Sequence, residues 1–233
     1  MSSSRTASAF TATQVRLAFE CPRLFYLGAH YKGKTVFIPD REWSGIGKPF
    51  HHLANRFVDL CKADSRFRSL LSPAAEQLQL ETVTQEMQQL FYQQVFFPYL
   101  QRTVQTHAKA ATALNRIWEG LKGLIYQYAQ LLIGNRNYCR AEEVIDRTFI
   151  DCELTLQMTV KLPEGGKQLI RGQFDCLVYN FADRRLCVVE YKTYQPADLS
   201  AQLAQVSLYS YMLARQRKQP INAAVYCVLP DFQ

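Results

Sequence analysis

The second half of the chain alternates apolar and polar residues, and this pattern limits the possible folds most strongly. PEGG at 163–166 predicts a hairpin turn and NFADRR predicts the next one, so that strands cover 167–180 and 185–192. A helix over 197–216 and a last strand, INAAVYCVLP, complete an α/β unit. The preceding segment, IDCELTLQMTV, predicts a strand with one apolar face, made of Ile150, Cys152, Leu154, Leu156, Met158 and Val160.

The first half is predicted to be helical. A helix begins near Thr11 or Thr13, Pro22 opens or kinks the next, and a third runs from about Pro49 to Cys61. Two long helices follow, with predicted ranges 73–97 and 99–134, and Pro98 separates or kinks them. We therefore expect a single domain over 1–233, with a flexible lead-in at 1–10 and a helical insertion at 62–139.

Charge and cysteine content restrict the kind of protein. The net charge of +7 suits a polyanionic partner such as nucleic acid, although it does not require one. Seven cysteines without C-x-x-C spacing argue against a disulfide framework and a zinc ribbon. The amino terminus lacks the apolar stretch of a signal peptide, and no apolar run approaches the roughly 20 residues of a membrane span. We expect a soluble, cytoplasmic protein.

The segment CVVEYKT places Glu190 and Lys192 on the same face of a strand. Taken alone, such a pair is more often a weak surface ion pair. Asp175 changes this interpretation, because it lies on the preceding antiparallel strand and can reach the same place as Glu190. Two converging carboxylates need a cation, and hard oxygen ligands favour Mg²⁺ or Mn²⁺. The neighbouring ammonium suits a site that handles phosphate and an attacking water.

The following helix adds two polar residues to this group. Gln205 and Tyr209 are four residues apart, so they share one helix face. Two interpretations remain open from the spacing. Tyr209 is a half-buried packing aromatic, or the pair forms a polar strip that faces Glu190 and Lys192 or a bound phosphate.

Three blocks of the chain together resemble a known family. An aspartate, then E-x-K, then Q-x-x-x-Y resembles the RecB-like branch of the PD-(D/E)XK nuclease superfamily. GKPFHHLANRF resembles that branch's glycine–three residues–histidine motif and matches its histidine to His51. FECPRLFYLG resembles the C-P-R-x-F/Y signature of CRISPR-adaptation nucleases and AddAB-type nuclease domains. The resemblance covers residues 14–31, 45–57 and most of 140–230.

The resemblance implies a restriction-endonuclease-like core, with a mixed central sheet flanked by helices, and metal-dependent hydrolysis of DNA. Lys192 would position or help deprotonate the attacking water, and Gln205 would hold Lys192 or the phosphate. Tyr209 and Arg23 would contact the DNA backbone, and Glu143 of AEEV would be an additional acid. The implied ligands of Mg²⁺ or Mn²⁺ are His51, Asp175, Glu190 and the backbone carbonyl of Tyr191.

The chain departs from the family at its cysteines. In many relatives the cysteine of the C-P-R signature joins three C-terminal cysteines around an iron–sulfur cluster, which needs four thiolates. Here Cys227 is the only nearby candidate, so we expect that Cys21 is not a cluster ligand and that the chain carries no iron–sulfur cluster. Either the cluster has been lost or the chain stops short of it.

Three functions remain under comparison. The first is an active DNA nuclease, exonucleolytic or end-processing, in DNA repair, recombination or phage/CRISPR defence. The second is a catalytically silent DNA-binding or scaffold subunit of a helicase or translocase complex, and the third is an unrelated basic α/β enzyme with a surface E-x-K pair. Relatives are often joined to a motor ATPase, so such a partner is expected beside DNA, and a homo-oligomer is left open. Basic side chains that would line a DNA path, unless they form a solvated helix face, are Arg56, Arg66, Arg68, Lys109, Arg116 and Lys122.

Overall fold

A computed structural model describes residues 9–30, 46–107, 110–163, 165–193, 199–218 and 221–226. The α-helices are α1 (Ala12–Glu20), α2 (Pro22–His30), α3 (Gly47–Ala63), α4 (Ser65–Leu70), α5 (Leu80–Phe91), α6 (Phe97–Thr106), α7 (Ala111–Arg136), α8 (Ala141–Thr148) and α9 (Leu199–Arg217). The strands are β1 (Phe10–Thr11), β2 (Phe149–Cys152), β3 (Thr155–Lys161), β4 (Lys167–Gln173), β5 (Cys176–Asn180), β6 (Arg185–Tyr191) and β7 (Ile221–Tyr226).

These strands form two small sheets. One has the order β1-β4-β3, and the other has the order β2-β5-β6-β7. The predicted hairpins are confirmed, since β3 pairs with β4 and β5 pairs with β6 in antiparallel register. The last strand, β7, runs parallel to β6 after the α9 crossover. The mixed α/β architecture is the predicted class and is consistent with a restriction-endonuclease-like core, with a high helical content.

Two predicted continuous strands are broken at neighbouring points. The alternating run over 150–160 turns at Glu153, whose φ of 54° lies in the left-handed region that side chains other than glycine rarely adopt. The predicted return strand over 167–180 bends at Asp175, between β4 and β5. The Glu153 N–H donates to the Asp175 carbonyl oxygen at 3.1 Å. The chain therefore passes between its two sheets at this point, and a single continuous meander was the wrong prediction.

The helical half also differs in detail from the prediction. Thr11 caps α1 in a reciprocal pair of hydrogen bonds with Gln14, as one of the two predicted caps. Of the two predicted effects of Pro98, a separation of the helices is wrong, because α5 continues through a π-helical turn at Tyr92–Phe96 into α6. Pro98 lies in the first turn of α6, directly after this π-helical turn, and prolines and π-helical turns are the usual causes of a kink.

Two hydrophobic cores lie on either side of β5 and β6. One joins the four-stranded sheet to α3, α5, α7 and α8, and it includes Val189 and Tyr191. The other joins both sheets to α9 and includes Val188. Because side chains alternate along a strand, Glu190 and Lys192 point toward the α9 side. The helices of the predicted insertion at 62–139 share the first core with α3.

Within the described part of the chain, no helix is both long and apolar enough to cross a bilayer. Residues 1–8 of the predicted lead-in at 1–10 lie outside the described residues. Phe10, at its end, belongs to β1. Cys227 and Lys109 also lie outside the described residues.

Candidate active site

Asp175 connects three parts of the fold. It lies at the bend between β4 and β5, and its Oδ1 is 2.6 Å from Nδ1 of His51, which α3 supplies from 124 residues away in sequence. Its Oδ2 accepts a hydrogen bond from the backbone N–H of Tyr191 at 2.6 Å. The aspartate thus fixes the end of β6 next to the helix that carries the histidine.

Glu190 and Lys192 form an ion pair, with Nζ and Oε1 separated by 2.8 Å. The two residues are 6% and 8% exposed, so the pair is buried and is not the surface pair that E-x-K alone suggested. Burying two charges costs desolvation energy, which is offset only when further hydrogen bonds satisfy them. Gln205 supplies such bonds to Lys192 Nζ and to Glu190 Oε1.

Gln205 is the centre of the polar group. Its Oε1 accepts from Lys192 Nζ at 3.2 Å, while its Nε2 donates to Glu190 Oε1 at 2.9 Å and to the Tyr209 hydroxyl at 3.1 Å. Residues four apart share a helix face, so α9 presents Gln205 and Tyr209 to β6 together. The polar-strip interpretation of these two residues therefore describes the observed packing.

Gly172 explains how Tyr209 reaches this position. A Cβ atom on Gly172 would lie 2.3 Å from Cε1 of the Tyr209 ring, closer than any real contact. Tyr209 is only 2% exposed, with its ring packed in the core. The Tyr209 hydroxyl is bonded to Gln205 and supports its position. The expected contact with DNA requires an open surface, which the buried ring does not offer.

The electrostatics of the group favour a bound cation. Burial raises the pKa of Glu190, and the negative charge of nearby Asp175 raises this pKa further, while Lys192 opposes the shift. Burial also raises the pKa of Tyr209, with a further contribution from Glu190. The buried carboxylate of Glu190 and the partly buried carboxylate of Asp175 thus repel each other, and a positive charge in addition to that of Lys192 would relieve the repulsion.

The donor set fits a magnesium or manganese ion. Glu190 Oε2 is buried and has no hydrogen-bond partner, although a buried carboxylate oxygen normally has one. Asp175 adds further carboxylate oxygens, and His51 adds an imidazole nitrogen. Mn²⁺ accepts both kinds of ligand, whereas Mg²⁺ prefers the oxygens. Among the described residues, no three acidic, histidine or cysteine side chains form a ready-made metal cluster. In this arrangement His51 and Asp175 are instead bonded to each other.

An open cavity of about 460 Å³, here called the active-site cavity, leads to Lys192 from solvent. Its lining consists of Gly47, Lys48, His51, His52, Glu153, Tyr191, Lys192 and Thr193. Glu153 is the acidic residue that sequence reasoning missed. Its Oε1 accepts from Asn55 Nδ2 at 2.7 Å, one helical turn beyond His51 on α3. The local sequence gives no signal for the turn at Glu153, because a left-handed backbone is usually found at a glycine or an asparagine.

The other predicted residues lie elsewhere. Glu143 is on the exposed side of α8 and pairs with Arg147 at 3.3 Å, so the structure does not bring it to the active-site cavity. Arg23 is exposed on α2, with no contact to Asp175 or Lys192 among the described residues. Cys21 ends α1.

Comparison with known proteins gives one strong match. A model of the PD-(D/E)XK nuclease superfamily matches residues 9–231, nearly the whole chain. Twelve chains of solved structures are also similar. One of them, titled "Crystal structure of SSO0001", aligns over 57% of this chain and 57% of its own length, with 17% identity and a TM-score of 0.28. No curated protein sequence matches the chain.

Proposed function

The chain belongs to the PD-(D/E)XK nuclease superfamily, and we propose that it is a metal-dependent deoxyribonuclease that hydrolyses phosphodiester bonds. The observation that carries this proposal is the buried group of Glu190, Lys192 and Gln205 beside Asp175, in which Glu190 Oε2 is left without a partner. A purely structural ion pair would gain nothing from an unsatisfied buried oxygen.

Oxygens of Asp175 and Glu190, the His51 imidazole and the backbone carbonyl of Tyr191 would hold Mg²⁺ or Mn²⁺ in this proposal. When bound, such an ion neutralises charge on the phosphate and makes a bound water more acidic. The hydrogen bond from Tyr191 N–H keeps Asp175 directed at the end of β6, where Glu190 lies.

Lys192 has the central role among the side chains. Its ammonium is held by Glu190 and Gln205 and reaches the active-site cavity. There it would donate a hydrogen bond to a phosphate oxygen and orient the attacking water, stabilising the negative charge that develops during attack. Gln205 fixes the lysine, and Tyr209 fixes Gln205, so these two act as positioning residues.

Glu153 would take the role of additional acid that the sequence assigned to Glu143. Only Glu153 of the two lines the active-site cavity, and Asn55 orients its carboxylate. It would accept a hydrogen bond from water in the active-site cavity and help direct that water to the phosphate.

The biological setting is proposed from the RecB-like motifs alone. The resemblance to the RecB-like branch favours exonucleolytic or end-processing activity in DNA repair, recombination or defence against phage, with a motor ATPase as partner. Assembly of the whole polar group around Glu190 favours an active enzyme over a silent scaffold subunit.

A cleavage assay tests the proposal. Labelled single- and double-stranded DNA is incubated with the protein in Mg²⁺, in Mn²⁺ and in chelator. Cleavage should require a metal and should be lost in Asp175→Ala but kept in Glu143→Ala, which removes an exposed carboxylate. Equal cleavage by wild type and Asp175→Ala would reject the assigned site.

A further inference from the structure

We propose that a groove between α3 and α6 binds single-stranded nucleic acid where it leaves the active-site cavity. Lys48 at the active-site cavity and Arg56 and Arg102 in the groove hold the phosphate backbone, and a base stacks on Tyr99. The inference rests on the proposed nuclease function and adds the surface that binds the substrate and the form of the substrate.

The first wall of this groove is a basic stripe on α3. Lys48, His52 and Arg56 are four residues apart, so they follow one another along one helix face at intervals of about 6 Å. All three residues are exposed. His51 and Asn55 form the adjacent stripe, which is bonded to Asp175 and Glu153. One helix therefore presents a catalytic stripe and a basic stripe side by side.

The stripe connects two cavities. His52 lines the active-site cavity and also a second one of about 310 Å³, here called the α3–α6 groove. The residues that line this groove are His52, Leu53, Arg56, Gln94, Val95, Pro98, Tyr99 and Arg102. A strand that occupies the active-site cavity at Lys192 can therefore continue along α3 as far as Arg102.

The second wall comes from the π-helical turn and the start of α6. The turn contributes Gln94 and Val95, and π-helical turns occur often at functional sites. The Tyr99 ring lies 6.4 Å from the His52 ring and is half-buried, so part of the ring is open to solvent. Such an aromatic surface stacks any base, whatever its sequence.

The charges along the groove complement a phosphate backbone. Its lining contains no carboxylate among the described residues. Gln94 donates to Asp64 at 3.0 Å, but Asp64 is itself paired with Arg66. Of the basic residues predicted to line a DNA path, Arg66, Arg68 and Lys122 are paired with carboxylates, whereas Arg56 has no ion pair within the described residues.

The residues of the groove favour a single strand. Val95, Pro98 and Arg102 line the groove together with Tyr99. Only an unstacked base can place its face against an aromatic ring. The bases of a duplex are stacked inside the helix, so a duplex would offer this groove only its backbone. Recognition by an aromatic ring together with a basic track is the pattern of single-strand binding.

The test is fluorescence anisotropy in chelator, which prevents hydrolysis, with a labelled oligothymidine and a duplex of the same length. Arg56→Ala/Arg102→Ala should weaken oligothymidine binding at least tenfold and reduce the slope of log K against log salt by about 1.4, for two lost phosphate contacts. Tyr99→Ala should weaken it about 5- to 150-fold with an unchanged slope. The matched control is Lys161→Ala/Lys167→Ala, which removes two exposed charges from the β3–β4 hairpin.

Each outcome bears on the inference. Binding by the groove variants that equals binding by the hairpin control, in proteins that melt like wild type, overturns the groove but not the nuclease. If the groove substitutions weaken binding to the duplex but leave binding to oligothymidine unchanged, the single-strand assignment is overturned. Absence of oligothymidine binding by wild type also overturns the groove, whereas the nuclease proposal fails only if hydrolysis with metal is absent as well.

Discussion

The carboxylate of Asp175 is bonded to the backbone of Tyr191, with Oδ2 and the amide nitrogen 2.6 Å apart. This bond ties the bend between the two sheets to the residue that separates Glu190 from Lys192. Asp175 therefore has a structural contact and a proposed metal contact in the same side chain. Substitutions at Asp175 can separate the two roles.

Asp175→Asn keeps a carbonyl oxygen for the Tyr191 N–H, whereas Asp175→Ala leaves that donor without its partner. We expect both variants to lose at least about 100-fold in DNA hydrolysis, since both lack the charged oxygens. Asp175→Ala should also lose about 1–3 kcal/mol of unfolding free energy relative to Asp175→Asn. Urea unfolding measures this difference, and identical stabilities would show that the bond to Tyr191 contributes nothing.

Metal binding is predicted to stabilise the folded chain through Glu190. Mn²⁺ should raise the melting temperature of wild type by mass action, and Glu190→Gln should abolish the rise. Glu143→Gln, which alters an exposed carboxyl group, should keep it. Thermal melting with and without Mn²⁺ provides the measurement, and an equal rise in Glu190→Gln would place the ion elsewhere.

The same experiment has a predicted pH dependence. Burial and the charge of Asp175 raise the pKa of Glu190, so this carboxyl takes up its proton at a higher pH than an ordinary glutamate. The ion binds the ionised form and competes with that proton. The Mn²⁺-induced rise in melting temperature should therefore shrink as pH falls, beginning above the ordinary range for glutamate. If the Mn²⁺-induced increase in melting temperature stays constant down to the ordinary pKa of glutamate, ion binding is not linked to the protonation of Glu190.

Substitutions at Glu153 and Glu143 are expected to have different effects on hydrolysis, because only one of these residues can be the additional acid. Glu153→Gln keeps an oxygen for Asn55 and should lower hydrolysis by about 100-fold, in the range of a lost acid–base group. Glu143→Gln should leave the rate unchanged, because its carboxylate pairs with Arg147 outside the active-site cavity. The cleavage rates of the two variants decide which residue is the additional acid. A loss of rate in Glu143→Gln but not in Glu153→Gln would assign that role to Glu143.

The close contact of Gly172 with Tyr209 predicts a non-additive pair. Gly172→Ala places a methyl group 2.3 Å from the ring and should cost about 1–3 kcal/mol in unfolding free energy. In a Tyr209→Ala background the ring is absent, so the same substitution should cost much less. Urea unfolding of the four proteins gives the coupling energy, and additive effects would show that the ring moves away freely.

Much of the site is predictable from local geometry. A short turn makes β5 and β6 antiparallel neighbours, and the periods of strand and helix place Glu190 with Lys192 and Gln205 with Tyr209. Their proximity to Asp175 follows from the same hairpin. The position of His51, 124 residues from Asp175, came from the family resemblance, because no local pattern encodes such a distant contact.

Other features had no sequence signal. The chain turns from β2 to β3 at Glu153 without the glycine that usually marks a left-handed backbone, so the break between sheets was missed. The burial of the E-x-K pair depends on α9 packing over β6, which a tripeptide cannot reveal. The π-helical turn at Tyr92–Phe96 likewise interrupts a segment of ordinary helix-forming pattern.

The measurement that tests the central claim most directly is Mn²⁺-dependent cleavage of labelled DNA by wild type and Lys192→Ala, compared at equal folded concentration. Lys161→Ala serves as control, since it removes an exposed lysine distant in sequence from the group around Glu190. We expect cleavage by wild type and by the control and a loss of at least about 100-fold in Lys192→Ala. Equal cleavage by all three proteins, or no cleavage by any of them, would contradict a nuclease centre built on Lys192.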